Sequence, residues 1–163
     1  MKTREKKIEL GQECVDLVTG FKGTATSIVR YLHGCDRVAL QPKVDKKGKA
    51  VANETFDETQ LAITDHNRAV IKEMAIATVD LGDKVKDPLS GFEGIVFGHA
   101  YWLNGCIRTG VSPKLDKDGK IQETQWFDDP QLELIKKKKV KKGKGDTGGP
   151  GHKMDRGNSM DRR

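Results

Sequence analysis

Two arginines, Arg37 and Arg108, each stand two residues after a Gly-Cys pair, in HGCDR (33–37) and NGCIR (104–108). A guanidinium offers a planar fork of N–H donors that matches a carboxylate or a phosphate. The cysteines beside them, with His33 close by, raise a second chemistry, a metal or thiol centre. Zinc requires about four ligands, and the second copy has Asn104 where the first has His33. The three cysteines, Cys14, Cys35 and Cys106, are odd in number, widely spaced and contain no CxxC pair. They are expected to be small buried side chains, with no metal and no cofactor. Asp57 and Asp128, each after a phenylalanine, are expected to cap a short turn. One such Asp per copy would lie too far from the other to form a catalytic pair. No Ser/His/Asp set, phosphate loop or HExxH motif is present, so no catalytic residue is expected.

The candidate anion or partner site is Arg30, Arg37, Tyr101, Arg108 and Trp126. A two-residue turn at His33-Gly34 and Asn104-Gly105, a strong hairpin signal, predicts the pairing around it. Tyr101 then lies opposite Arg108 as a cation–π pair, and Arg30 lies opposite Arg37. Like charges directly opposite are unfavourable in a sheet, so that arginine pair is expected either in water or on an anion. Alternation places Val96, Ala100, Trp102, Ile107 and Val111 on the core face, with Ala25, Val29, Tyr31, Asp36 and Leu40 as their equivalents.

These residues sit on a repeat. An offset of 71 aligns the two halves without a gap, with about 20 identities in about 54 positions; the chain is a tandem duplication. Each copy reads as a short strand (13–17, or 84–87), a glycine turn in VTGFKG or LSGFEG, and a long strand. A hairpin and a return strand ending at Pro42 or Pro113 follow. The copy closes with an aromatic strand, a short turn and a final strand. About five strands in some 60 residues predict a mainly β fold of two tandem small SH3-like, KOW-type barrels; an OB-fold ranks second. The predicted organisation is a first barrel over 1–63, a connector over 64–77, a second barrel over 78–135 and a tail over 136–163. The connector either holds a short helix over 67–74 or lends AIATVD to the next strand.

The totals agree with small barrels: 163 residues, 35% hydrophobic, 33% charged and 6% aromatic. No run approaches the roughly 20 apolar residues of a membrane span, and MKTREKKIEL lacks the apolar middle of a signal peptide. A soluble, non-exported protein with no membrane partner is expected. The chain's net charge is +6, but residues 136–163 hold eight Lys and three Arg against three Asp, a net +8, so the preceding 135 residues carry −2. The tail has no apolar periodicity and is expected to be disordered. Its lysines, Lys136, Lys137, Lys138, Lys139, Lys141, Lys142 and Lys144, form a cation block suited to nucleic acid or an acidic surface.

The units GFEGIVFGHAYWLNGC…SPK…WFDDPQLELI, with Thr147-Gly148-Gly149-Pro150 in the tail, resemble small proteins of tailed bacteriophages that carry tandem SH3-like repeats and a basic Gly-rich tail. The resemblance covers about residues 10–63 and 81–150. It implies a viral origin, a non-enzymatic fold, and a place in the cytoplasm of the infected bacterial host or in the virion. The first copy departs from it at His33 and at Thr55, where the second has Trp126, so any contact through that ring belongs to the second unit alone. The leading expectation is an accessory binding protein whose tandem modules recognise a partner while the tail adds electrostatic attachment. The alternatives are a virion structural or decoration component docking on a capsid or tail lattice, and a protein that sequesters a small anionic nucleotide such as a host immune signal.

Overall fold

The computed structural model describes residues 7–65 and 75–139, and it is mainly β. The proposed helix over 67–74 and most of the tail lie outside the described residues. Ten strands form one antiparallel sheet: β1 (Glu13–Asp16), β2 (Lys22–Tyr31), β3 (Arg37–Gln41), β4 (Glu54–Asp57), β5 (Leu61–Asp65), β6 (Lys84–Lys86), β7 (Glu93–Trp102), β8 (Ile107–Ser112), β9 (Gln125–Asp128) and β10 (Glu133–Lys136). Two short 3-10 turns, Glu58–Gln60 and Asp129–Gln131, precede β5 and β10. Within the first set the pairing order is β5-β1-β2-β3-β4, and within the second it is β10-β6-β7-β8-β9. Among the described residues no helix is long and apolar enough to cross a membrane.

The two sets share their longest strands. β2 pairs antiparallel with β7 over Ser27↔Trp102, Ile28↔Tyr101, Val29↔Ala100, Arg30↔His99 and Tyr31↔Gly98. This register is its own image under the 71-residue offset, so a local two-fold relates the units at Val29 and Ala100. The backbone bonds beyond the ladder obey the same relation. Leu32 N–H donates to Phe97 C=O at 2.8 Å, and Leu103 N–H to Thr26 C=O at 2.9 Å. Thr26 and Phe97 are the bulged residues where β2 and β7 slip against β3 and β8. Each bulge frees a carbonyl, and the other unit supplies its donor.

The same bulges correct the expected core face. Past Thr26 and Phe97 the alternation changes phase, so Ile28 and His99 continue the inward row from Ala25 and Val96; Val29 is only half-buried, while Ala100 is buried as expected, opposite it at the seam. Trp102, assigned to that row, is 41% exposed. Two cores result. One gathers Ile8, Leu10, Cys14, Ala25, Ile28, Val38 and Leu40, with Phe21, Phe56 and the second unit's Tyr101 and Leu103 against it. The other holds Val79, Val85, Val96, Val111 and Leu132, with Phe92 and Phe127 beside them.

The hairpin register also differs from expectation. The connection spans 103–106 in the second unit and 32–36 in the first, not two residues. Gly105 N–H donates to Trp102 C=O at 2.9 Å and Asn104 Oδ1 accepts Cys106 N–H at 3.0 Å, which closes a longer loop. Arg108 therefore faces Ala100, Ile107 faces Tyr101, and Arg37 faces Val29. Neither the Tyr101–Arg108 pair nor the Arg30–Arg37 pair forms across the ladder. Cys14 is buried as expected, and burial, aided by Glu13, pushes its thiol up to about 11. Cys35 and Cys106 are exposed, because the longer loop carries them past the end of the sheet.

At the glycine turns the expected positive φ is present, 76° at Gly20 and 77° at Gly91. Inside each turn a buried carboxylate binds the loop. Asp16 accepts Thr19 N–H at 2.7 Å, and Asp87 accepts Ser90 N–H at 2.9 Å as well as the Ser90 hydroxyl. Gln131 also donates to Asp87 Oδ1 at 2.9 Å, whereas Asp16 Oδ1 has no partner among the described residues. The Ser90 hydroxyl, against the opposing effect of burial, and then Gln131 and the backbone amides hold the Asp87 carboxyl down at about 2. An unfolded Asp titrates near 3.9, so the folded pKa is depressed and this contribution to stability is complete above about pH 4. It is lost as pH falls through about 2. Urea unfolding of Asp87→Asn between pH 5 and 2 is expected to give a flatter stability profile than the parent; parallel profiles would remove Asp87 from the acid transition.

Candidate functional site

The seam between β2 and β7 brings two of the five candidate residues together. Arg30 and Tyr101 occupy equivalent positions in the two units and line one cleft of about 540 Å³. Its walls come from both units: Lys7, Arg30, Tyr31 and Asp36 from the first, and Val79, Asp80, Leu81 and His99 from the second. Arg30 pairs with His99 across the ladder, and Lys7, Asp36 and Asp80 are the other charged groups of the cleft wall.

Arg30 is not opposed to Arg37; it is held by two carboxylates. One guanidinium nitrogen, Nη1, donates to Asp36 at 2.8 Å and to Glu58 at 2.7 Å. Burial works to lower the guanidinium's pKa, but the bonds to Glu58 and Asp36 and their charges outweigh it and raise it. Asp36 also accepts Tyr31 N–H at 3.1 Å, which ties the hairpin to the same cluster. In the second unit the position of Arg30 is taken by Tyr101, whose phenol burial pushes upward.

Beneath the cleft lies a buried polar chain that sequence reasoning missed. Thr109 donates its hydroxyl hydrogen to Asp129 Oδ1 at 2.6 Å, so its lone pair accepts from His99 Nδ1–H at 2.9 Å. Asp129 Oδ2 accepts Thr78 N–H at 2.6 Å, which pins the approach to β6 onto the turn before β10. Burial lowers the His99 pKa, against the charge of Asp129 and a hydrogen bond to the Val79 backbone. The signal was available as a difference between copies: His99 stands at the position of Ile28, and Thr109 at that of Val38. Polar residues at core positions of one copy imply a network in that copy alone.

Arg37 and Arg108 lie outside the cleft, and each has a local partner. Arg37 is opposite Asp57 across β3 and β4, with Nε 3.1 Å from Oδ1. Arg108 is opposite Asp128 across β8 and β9 at 3.5 Å, and it donates to Trp126 C=O at 3.0 Å. The matched arginine thus has a sheet-level reason, an opposite-charge cross-strand pair in each unit. Asp57 and Asp128 do stand at the start of the 3-10 turns, but neither side chain caps it; their carboxylates face the arginines instead. Around Arg37 a shallow recess of about 390 Å³ is lined by Tyr31, His33, Cys35 and Asp57. Trp126 sits edge-on to Phe97 at 5.2 Å, and Phe97 stacks on Tyr31 at 6.5 Å, an aromatic row across the seam.

The lysine block begins inside the fold. Lys136 is the last residue of β10, one position beyond the boundary expected for the second unit. Lys138 N–H donates to Asp83 Oδ1 at 2.8 Å, and its aliphatic stem crosses the bare backbone of Gly82. Lys137 Nζ reaches Asp80 Oδ2 at 3.5 Å. Lys139 is exposed; Lys141, Lys142 and Lys144 lie outside the described residues. Among the described residues no cluster of three or more His, Cys, Asp or Glu is placed to hold a metal.

No protein-family model, curated protein or solved structure matches this chain. The site's reading therefore rests on its own geometry.

Proposed function

We propose that the chain is a non-enzymatic binding protein built from two SH3-like units, of the kind the phage resemblance implies. In this reading the units present a partner site at their seam, and the lysine run gives electrostatic attachment to nucleic acid. The SH3-like reading is supported by the order β5-β1-β2-β3-β4, with a 3-10 turn before the last strand, repeated in the second set. The observation that carries the attachment is the anchorage of the run. Lys138 is fixed to Asp83 by its backbone, so the lysines leave the fold from a defined point on the second unit. A cation block on a fixed base neutralises phosphates without reading sequence, and its affinity falls steeply with salt.

The anchorage sets where the chain must be cut to test this. Ending it at Ile135 would remove the last residue of β10 and the Lys138 bond; ending it after Lys139 keeps both. The full chain is expected to retain mixed-sequence duplex DNA at 50 mM salt and to release it by 200 mM. The chain ending at Lys139 is expected to bind at least tenfold more weakly, read by fluorescence anisotropy. Equal affinity of the two chains would reject the attachment role of the run.

A further inference from the structure

The anchored lysines have neighbours on the sheet. Lys84 and Lys136 are directly opposite across β6 and β10, and Lys86 is two residues along on the same face of β6. Directly opposed like charges are unfavourable in a sheet. The one carboxylate within reach on β7, Glu93, is shared: it lies 3.1 Å from Lys84 and 3.9 Å from Lys86. Glu133, directly opposite Lys86 on β10, is a second carboxylate on this face, so Lys84 and Lys86 are balanced and the excess positive charge comes from Lys136 and the exposed lysines that follow it. Its equivalent on the first unit has the opposite sign, with Glu13, Val15 and Asp65 at the positions of Lys84, Lys86 and Lys136. β10 lies at the end of the sheet farthest from the first unit, so this face is remote from the seam.

We infer that the β6–β10 end of the second unit, through Lys84, Lys86 and Lys136, is a track for the phosphate backbone of duplex DNA, continuous with the anchored lysine run. This rests on the attachment reading above and adds a folded surface to it. The bond from Lys138 to Asp83 and the stem of Lys138 over Gly82 lay the first lysines of the run beside β6. A polyanion gripped by the run is thereby brought against Lys84 and Lys86. Held at one end only, it leaves the cleft at the seam and the whole first unit open to a different partner, so the protein can bridge DNA to that partner.

The salt dependence of binding separates a track from a bare tail. Each phosphate contact contributes about 0.9 to the slope of log affinity against log salt for duplex DNA. In the full chain, Lys84→Gln with Lys86→Gln is expected to lower that slope by about 2, while the exposed control pair Lys46→Gln with Lys47→Gln leaves it unchanged. An unaltered slope in the β6 double variant, with binding still lost on truncation after Lys139, would overturn the track and leave the attachment reading standing. Equal losses in both double variants would overturn it too, since the effect would then be one of net charge. Absence of DNA binding by the full chain, or binding to polyglutamate alone, would overturn track and attachment together. Thermal unfolding of each variant confirms that the fold is retained.

Discussion

Gly94→Ala is expected to destabilise the protein by about 2–3 kcal/mol, lowering its melting temperature by several degrees. Gly94 lies where β7 crosses the end of β8. A Cβ there would sit 2.7 Å from the Ser112 carbonyl carbon and 2.8 Å from a Val111 methyl. Both neighbours belong to the framework of the second core, and Val111 is fully buried. The backbone must therefore move, because no flexible side chain can yield. Gly23 repeats the arrangement in the first unit, where a Cβ would lie 2.8 Å from the Gln41 carbonyl. Gly23→Ala is expected to cost a similar amount. Thermal unfolding followed by circular dichroism checks both; a loss below about 0.5 kcal/mol at either site would mean the two strands separate more easily than their spacing indicates.

Arg30→Met is expected to cost about 2 kcal/mol. It keeps the aliphatic stem and removes the charge that Asp36 and Glu58 share. Removing one partner of a fully buried pair costs about 3–5 kcal/mol, because a charge is left unpaired. The Arg30 side chain is 19% exposed, and Asp36 and Glu58 are 21% and 16% exposed, so all three keep some contact with water and a smaller value applies. Urea unfolding at pH 7 tests this; a loss below about 0.5 kcal/mol would mean that Asp36 and Glu58 are solvated without the guanidinium. Because Arg30 lines the cleft, the same variant reports whether seam geometry and stability are coupled.

Much of the architecture was legible in the sequence. The offset of 71 found the two sets of strands, and the glycines of VTGFKG and LSGFEG found the turns, because turn chemistry is local and leaves a residue-specific mark. Register was less accessible. The Asn104-Gly105 signal indicated a hairpin but not its length, which Trp102, Asn104 and Cys106 set together through three hydrogen bonds. That slip of one position moved Arg108 away from Tyr101 and Arg37 away from Arg30. The bulges at Thr26 and Phe97 were invisible for a related reason: their carbonyls are satisfied by the other unit, not by a neighbour in the chain.

The sequence alone determined the 71-residue repeat, the β class, the chain order of the strands and the concentration of positive charge in 136–144, since each follows from local pattern or composition. Only the tertiary structure decided the partners. It paired Arg37 with Asp57 and Arg108 with Asp128, gave Arg30 two carboxylates, and joined His99, Thr109 and Asp129 in one buried chain. It also ran β2 against β7, so that two copies share one sheet and one cleft. Pairings of this kind depend on distances between residues remote in the chain, and those distances exist only once the sheet has closed its register.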